Sequence, residues 1–252
     1  MVALAWSSWR TVALVALVTS CGGAPHGDSE TMPAPTPTPD AAPPSVVAPA
    51  GDRYGDGLEV AGTLGRMDPD AVTPVVAAAF DDLVGCWQRA TAQVRWLAGD
   101  VELKVRVDRA GRVVRAHIAV SDLGSWPTER CLLTRIRELT FPRPEGGAEG
   151  EFVFPLEFPA QGRVQTLPAP RAARELAQPI GALAACAGGP DRARVTVYVG
   201  PGGAVLSAGF AADGGEAPSD GWLECAHARA LAWQLEDPLG TVTKLSAAWV
   251  RP

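Results

Sequence analysis

Cysteine is the residue type in this chain whose number and spacing most suggest chemistry. The 252 residues contain five cysteines, at positions 21, 86, 131, 186 and 225. Cysteine thiols form disulfides, bind zinc, act as nucleophiles or carry lipid. Because five is an odd number, one cysteine is left over if the other four pair within the chain.

Cys21 follows a segment that is typical of a secretory signal. Arg10 is the only charged residue before it, the apolar stretch 11–18 follows Arg10, and small residues precede the cysteine. The stretch is too short to span a membrane as a helix. The sequence VTSC resembles a bacterial lipobox, which implies cleavage before Cys21 and diacylglycerol on its sulfur. Gly22 and Gly23 follow, where an aspartate would favour the inner membrane, so the outer membrane is expected. A plain secretory signal with an incidental cysteine is the alternative.

The stretch that follows Cys21 has a composition that cannot form a core. Its centre is MPAPTPTPDAAPPSVVAPA, and such density of Pro, Ala and Thr favours extended, solvated chain. We therefore expect a signal peptide over residues 1–20, and a lipidated cysteine with a disordered tether over residues 21–57. The net charge is −6 and no region is basic, which argues against nucleic-acid binding.

Beyond the tether, the first predicted unit has the order helix, hairpin, helix, strand. Thr73 and Pro74 are the expected start of the first helix. Apolar residues on one face of that helix recur at helical spacing: Val72, Val76, Phe80, Leu83, Trp87, Ala90 and Val94. The segment VELKVRVDRAGRVVRAHIAVS alternates apolar and polar residues and predicts a β-hairpin. A helix that opens near Ser125 and a strand, FVFPLEF, complete the unit.

The same order recurs in the second half of the chain. ARVTVYVGPGGAVL matches VELKVRVDRAGRVV, and Cys186 and Cys225 match Cys86 and Cys131. Internal duplication is the simplest account, and chance similarity of two α+β segments is the alternative. A shorter interval between the first cysteine and the hairpin predicts a shorter first helix or loop in the second copy.

Duplication also predicts how the cysteines pair. Each copy has one cysteine on its first helix and one on its second, and two helices on one face of a sheet would bring these side chains within bonding range. We expect Cys86 to pair with Cys131 and Cys186 with Cys225, which leaves Cys21 for lipid. Pairing across the copies stays open. A metal site is poorly supported, because no C-x-x-C spacing or histidine cluster accompanies the cysteines.

Several strings of the first copy carry a family resemblance. VVAAAFDDLVGCWQ, LKVRVDRAGRVVRAHIAVS, ERCLLTRIRELTFPRP and FVFPLEF together resemble the AgmX/PglI C-terminal family, which is similar to the TonB C-terminal domain. The resemblance covers residues 58–160, and residues 161–252 look like a degenerate second copy. It implies an α+β fold of two tandem small domains, each a three-stranded antiparallel sheet with two helices packed on one face. It implies protein contacts in the cell envelope, in some members linked to gliding motility or energy transduction, and no catalytic residue or cofactor.

Three features that could suggest an enzyme have simpler interpretations. Cys225 and His227 could form a nucleophilic pair, but residues two apart on a helix point to different faces, so a disulfide for Cys225 is favoured. His117 alternates with the outward residues of its strand and is expected to be solvated. The sequence GPGG at residues 200–203 predicts a hairpin turn, since a phosphate-binding loop would need a following helix and a lysine.

Tryptophans raise a second binding function. Trp96, Trp126 and Trp222 flank predicted helices, where exposed indole rings could stack on sugars, so peptidoglycan or glycan binding is the alternative function. Trp87 and Trp249 fall on predicted apolar faces and are expected in the core.

The sequence thus predicts a non-enzymatic envelope lipoprotein that acts as a protein-interaction or scaffold module. Its expected partners are envelope proteins, and the lipid anchor is its expected membrane contact. A TonB-type transducer keeps an inner-membrane helix, whereas here the only apolar N-terminal segment is expected to be cleaved. The last strand of each copy is expected at a sheet edge, where an extended partner segment could add a strand.

Overall fold

The computed structural model describes residues 64–214 and 216–252, all within the compact unit of residues 57–252. The predicted signal peptide, Cys21 and the tether lie outside the described residues. The fold is α+β. None of the helices in the described part of the chain is both long and apolar enough to cross a membrane.

The first half, residues 64–160, forms a three-stranded antiparallel sheet with the strand order β2-β1-β3. Its elements are the helices α1 (Pro69–Ala78), α2 (Phe80–Thr91) and α3 (Trp126–Arg137), and the strands β1 (Gly99–Asp108), β2 (Val113–Ser121) and β3 (Glu149–Phe158). The strict alternation in β1 buries Val101, Leu103 and Val105. Gly111, with a positive φ of 80°, makes the turn into β2 as predicted, and a side chain there would overlap the carbonyl of Phe141.

The expected single helix from Val72 to Val94 is in fact two helices. α1 begins after Asp68, whose side chain accepts a hydrogen bond from the Asp70 amide, and so it starts earlier than Thr73 and Pro74. At Ala79 the amide is shared between the carbonyls of Val75 and Val76. This tighter turn changes the direction in which the residues after Ala79 point relative to those of α1. The apolar face predicted from Val72 to Val94 is therefore interrupted at the junction of the two helices. Phe80 is consequently 51% exposed, and its predicted place in the core is wrong.

The second half, residues 161–252, repeats the helix, hairpin, helix, strand order with additions. A 3₁₀ helix (Pro179–Ala185) precedes β5 (Arg192–Val199), β6 (Val205–Ala211), α5 (Asp220–Leu231) and β7 (Thr243–Val250). The short 3₁₀ helix agrees with the predicted shortening, and residues 200–203 connect β5 to β6 as the predicted turn. The linking segment adds β4 (Gln165–Thr166) and α4 (Ala169–Leu176). Because β4 pairs with β7, this sheet has four strands rather than the expected three, in the order β4-β7-β5-β6. β7 is therefore not an end strand, and the prediction that the last strand of the second copy lies at a sheet edge is wrong.

The two halves pack closely on each other through the second sheet. Its face opposite α5 carries Tyr198 and Lys244, which are both buried. The Tyr198 hydroxyl donates to the Ala98 carbonyl at 2.7 Å, and the Lys244 ammonium donates to the same carbonyl at 3.0 Å. Lys244 also pairs with Asp122 at 2.7 Å. Both faces of the second sheet are therefore covered, whereas the polar face of the first sheet is left open by the described residues, with Val120 and Val153 exposed on it.

Glu129 lies at the centre of this contact between the halves. It belongs to α3, has no exposed surface, and accepts hydrogen bonds from the Ser121 hydroxyl at 2.9 Å and the Phe210 amide at 3.1 Å. Burial raises the pKa of its carboxyl to about 7, although these hydrogen bonds oppose the rise. The neighbouring strand approaches closely because residue 209 is glycine.

Replacing Gly209 with alanine should lower the free energy of unfolding by about 2 kcal/mol. The added Cβ would lie 2.5 Å from the Ser125 amide nitrogen and 2.6 Å from a Glu129 carboxylate oxygen, so the halves would have to separate slightly. Denaturation in urea measures the change. Gly221→Ala is the matched control, since a Cβ on that glycine of α5 meets no atom within 4 Å and should leave stability equal or slightly higher.

Candidate functional site

The four cysteines in the described residues form two disulfides. Cys86 pairs with Cys131 and Cys186 with Cys225, with Cα–Cα distances of 5.8 and 5.7 Å. This is the pairing within each half that duplication predicts, and each disulfide links the helical segments of its own sheet. Cys21 lies outside the described residues.

The residues considered for catalysis are not arranged as a reactive pair. The Cys225 sulfur is bonded to Cys186, so it cannot act as a nucleophile with His227. His117 is half-buried rather than solvated, and this prediction is wrong because its Nδ1 is enclosed and finds no hydrogen-bond partner among the described residues. Burial and the nearby Lys104 charge lower the pKa of His117. Within the described ranges, no three His, Cys, Asp or Glu residues are placed to hold a metal ion.

The tryptophans considered for sugar stacking are mostly in the core. Trp126 and Trp222 are buried, so the expectation that they could be exposed is wrong. Trp96 is half-buried and packs against Tyr198, with 4.6 Å between ring centroids. Trp87 and Trp249 are buried as predicted. The aromatic surface on which glycan binding depended is therefore largely enclosed.

The last strand of the first half, in contrast, is exposed along one side. Among the described residues, β3 is the end strand of its sheet and pairs with β1 along its whole length. On the other side, the Gly65 amide donates to the Glu149 carbonyl at 2.7 Å, which shows that the backbone of Glu149 faces away from β1. Backbone direction alternates along a strand, so residues 151, 153, 155 and 157 face the same way. Residue 155 is a proline, which has no backbone N–H. Proline within a sheet is usually found on an edge strand, where no partner strand needs that hydrogen bond.

An apolar groove lies beside this free edge. It has a volume of about 340 Å³ and runs between α1 and β3, with Met67, Val72, Val76, Phe152 and Phe154 in its walls. Phe152 and Phe154 point toward the helices. A strand added to β3 would point alternate side chains in the same direction and so into the groove.

The side chains of β3 that point to the open face of the sheet include charged residues, and ion pairs neutralise part of this charge. Glu151 forms ion pairs with Lys104 at 2.7 Å and with Arg106 at 3.0 Å. Burial acts to raise the pKa of Glu151, but the two cations outweigh it and the pKa is lowered. Val153 is 49% exposed between the charges, and Glu157 is exposed with no ion pair among the described residues. The free edge and the groove together are called the β3 edge site below.

Comparisons of this chain with protein-family models, with curated proteins and with solved structures found no match.

Sequence reasoning located the edge strand but missed the groove. The alternation of FVFPLEF predicted which face of β3 is apolar, and Phe154, Leu156 and Phe158 are buried. The groove depends on α1 being a separate helix, and the continuous apolar spacing across Ala79 concealed that break. The apolar pair Val72 and Val76, one helical turn apart, was the available indication that α1 presents its own apolar face.

Proposed function

We propose that this protein is a non-enzymatic cell-envelope lipoprotein that acts as a protein-interaction or scaffold module. In this proposal Cys21 carries the lipid, residues 22–57 are the tether, and the β3 edge site captures an extended segment of an envelope protein. Two or more acyl chains would hold the protein stably on a bilayer. The outer membrane is the proposed location.

We also propose that the two halves are tandem domains of the AgmX/PglI C-terminal kind, similar to the TonB C-terminal domain, with the second copy degenerate. Support comes from the strings that suggested the resemblance and from the common order of elements in both halves. The role we propose for them is binding, linked to TonB-like or gliding-type envelope machinery.

The observation that carries the proposal is the free edge of β3 next to an apolar groove. Unpaired backbone groups offer hydrogen bonds to any extended chain, so they give affinity without selectivity. The groove adds selectivity, because it accepts apolar side chains at alternate positions of the partner. The exposed carboxylate of Glu157 favours a basic residue on the partner's other face. The expected ligand is therefore an extended segment that alternates apolar and basic residues.

Site-specific cross-linking in cells that make the protein tests this function. A photoreactive amino acid in place of Val153 should form a discrete adduct, whereas the same group in place of Val120, exposed on β2, should not. Ala77→Trp should reduce the adduct at least about tenfold, because Ala77 lines the groove and its backbone can carry the larger side chain outward.

Ala78→Trp is the matched control for the groove. Ala78 is the next residue of α1, is also exposed, and does not line the groove, so this variant should keep the adduct. An adduct at residue 153 that survives Ala77→Trp, or no adduct at that position at all, would contradict the proposed function.

A further inference from the structure

The two disulfides have different electrostatic surroundings. The Arg89 guanidinium Nη2 lies 3.0 Å from Cys131 Sγ and 3.6 Å from Cys86 Sγ. Arg89 is exposed on α2, three residues after Cys86. Within the described residues, its charge is not neutralised by any ion pair. One positive charge therefore contacts both sulfurs of the first disulfide.

The second disulfide has the same burial, but no arginine or lysine of the described residues donates a hydrogen bond to it. Cys186 is buried like Cys86, and Cys225 is half-buried like Cys131. No hydrogen bond among the described residues reaches either of its sulfurs. The residue three positions after Cys186 is Gly189, where a Cβ would lie 2.5 Å from the Trp222 indole nitrogen. An arginine at residue 189 would displace Trp222, so the second disulfide has no counterpart of Arg89 at this position. The second disulfide therefore serves as an internal control for the effect of Arg89.

We propose that Cys86–Cys131 is a thiol-exchange site that reacts with a dithiol partner, and that Cys186–Cys225 is a structural disulfide. This inference goes beyond the proposed binding function and does not depend on it. A disulfide exchanges faster when the leaving sulfur is stabilised as a thiolate. A guanidinium in contact with a sulfur provides that stabilisation.

The exchange has two steps. A thiolate of the dithiol attacks Sγ of Cys131, the less buried of the two cysteines. The Cys86–Cys131 bond breaks, and its electron pair stays on Cys86 Sγ as a thiolate beside Arg89. The second thiolate of the dithiol then attacks the partner sulfur of the mixed disulfide and releases Cys131 as a thiolate. The dithiol leaves oxidised as a disulfide, two electrons have passed to the protein, and the two protons of the dithiol are available to the two new thiolates.

Timed reduction of the oxidised full chain with dithiothreitol tests the inference. Each sample is quenched with an alkylating reagent, and mass spectrometry of the cysteine peptides gives a separate rate for each disulfide. We expect Cys86–Cys131 to react about threefold or more faster than Cys186–Cys225. Arg89→Gln should slow only the first disulfide, by about threefold to tenfold.

Two further variants separate the charge of Arg89 from a structural effect. Arg89→Lys keeps the charge and should retain most of the rate. Arg135→Gln removes another exposed arginine of the same helix pair, one that contacts Glu138 and no sulfur, and should change neither rate. Urea denaturation of each oxidised variant checks that the fold is unchanged. Equal rates for the two wild-type disulfides, or an Arg89→Gln rate within twofold of wild type, would overturn the proposal.

Discussion

Replacing Cys86 and Cys131 together with alanine should lower the free energy of unfolding by about 4 kcal/mol. The disulfide spans 45 residues, and closing a loop of that length removes much conformational entropy from the unfolded chain. Guanidinium denaturation of the oxidised protein, with and without the substitutions, measures the difference.

The second disulfide provides the comparison for this result. It spans 39 residues, so the double replacement of Cys186 and Cys225 should cost nearly the same free energy. The two disulfides share no residue, and their separate losses should roughly add. A loss below about 1 kcal/mol for both double variants would show that the entropic account of these disulfides is wrong.

Stability should also fall as the pH rises from about 4.5 to about 7, because of Glu129. Burial raises the pKa of this carboxyl from 4.5 in the unfolded chain to about 7 in the folded protein. The folded state therefore holds a proton that the unfolded state releases across this range. The contribution of this bound proton to the free energy of unfolding totals roughly 3 kcal/mol. It is fully present below pH 4.5 and is lost as the pH rises to about 7.

The wild-type chain and the Glu129→Gln variant, compared at several pH values, isolate this contribution. The amide has similar size and does not titrate, so the difference in unfolding free energy between the two proteins should change with pH between 4.5 and 7. A pH-independent difference would mean that Glu129 titrates at the same pH in both states. Absolute stability matters less here, since the glutamine also alters the hydrogen bonds with Ser121 and Phe210.

Local sequence patterns correctly predicted the strands of each hairpin and the helices that pack on the same sheet. Alternation located β1, β2 and β3, and the matching cysteine positions predicted which helices are linked. The break at Ala79 was missed because Val72, Val76 and Leu83 fit one continuous helical stripe. Apolar spacing reports which residues are buried, and it does not distinguish one long helix from two that share a core.

The contact between the halves was missed for a different reason. Periodicity within one segment carries little information about which other segment covers its second face. β5 did contain an indication, since Tyr198 interrupts its alternation with a large residue among valines, and a strand covered on both faces is apolar on both. Glu129 gave none, because an acidic residue on a helix is ordinarily exposed. Burial of Trp126 and Trp222 follows from the same contact and from the core around α5.

The central claim is that an extended partner segment pairs with the free edge of β3. Amide hydrogen exchange measures this directly when the segment identified by cross-linking is added as a synthetic peptide. The account predicts that exchange slows at least about tenfold at Val153 and Glu157, whose amides face outward, and stays unchanged at Val120. Binding that protects β2 or the open face of the sheet, and leaves Val153 and Glu157 exchanging at their free rates, would contradict it.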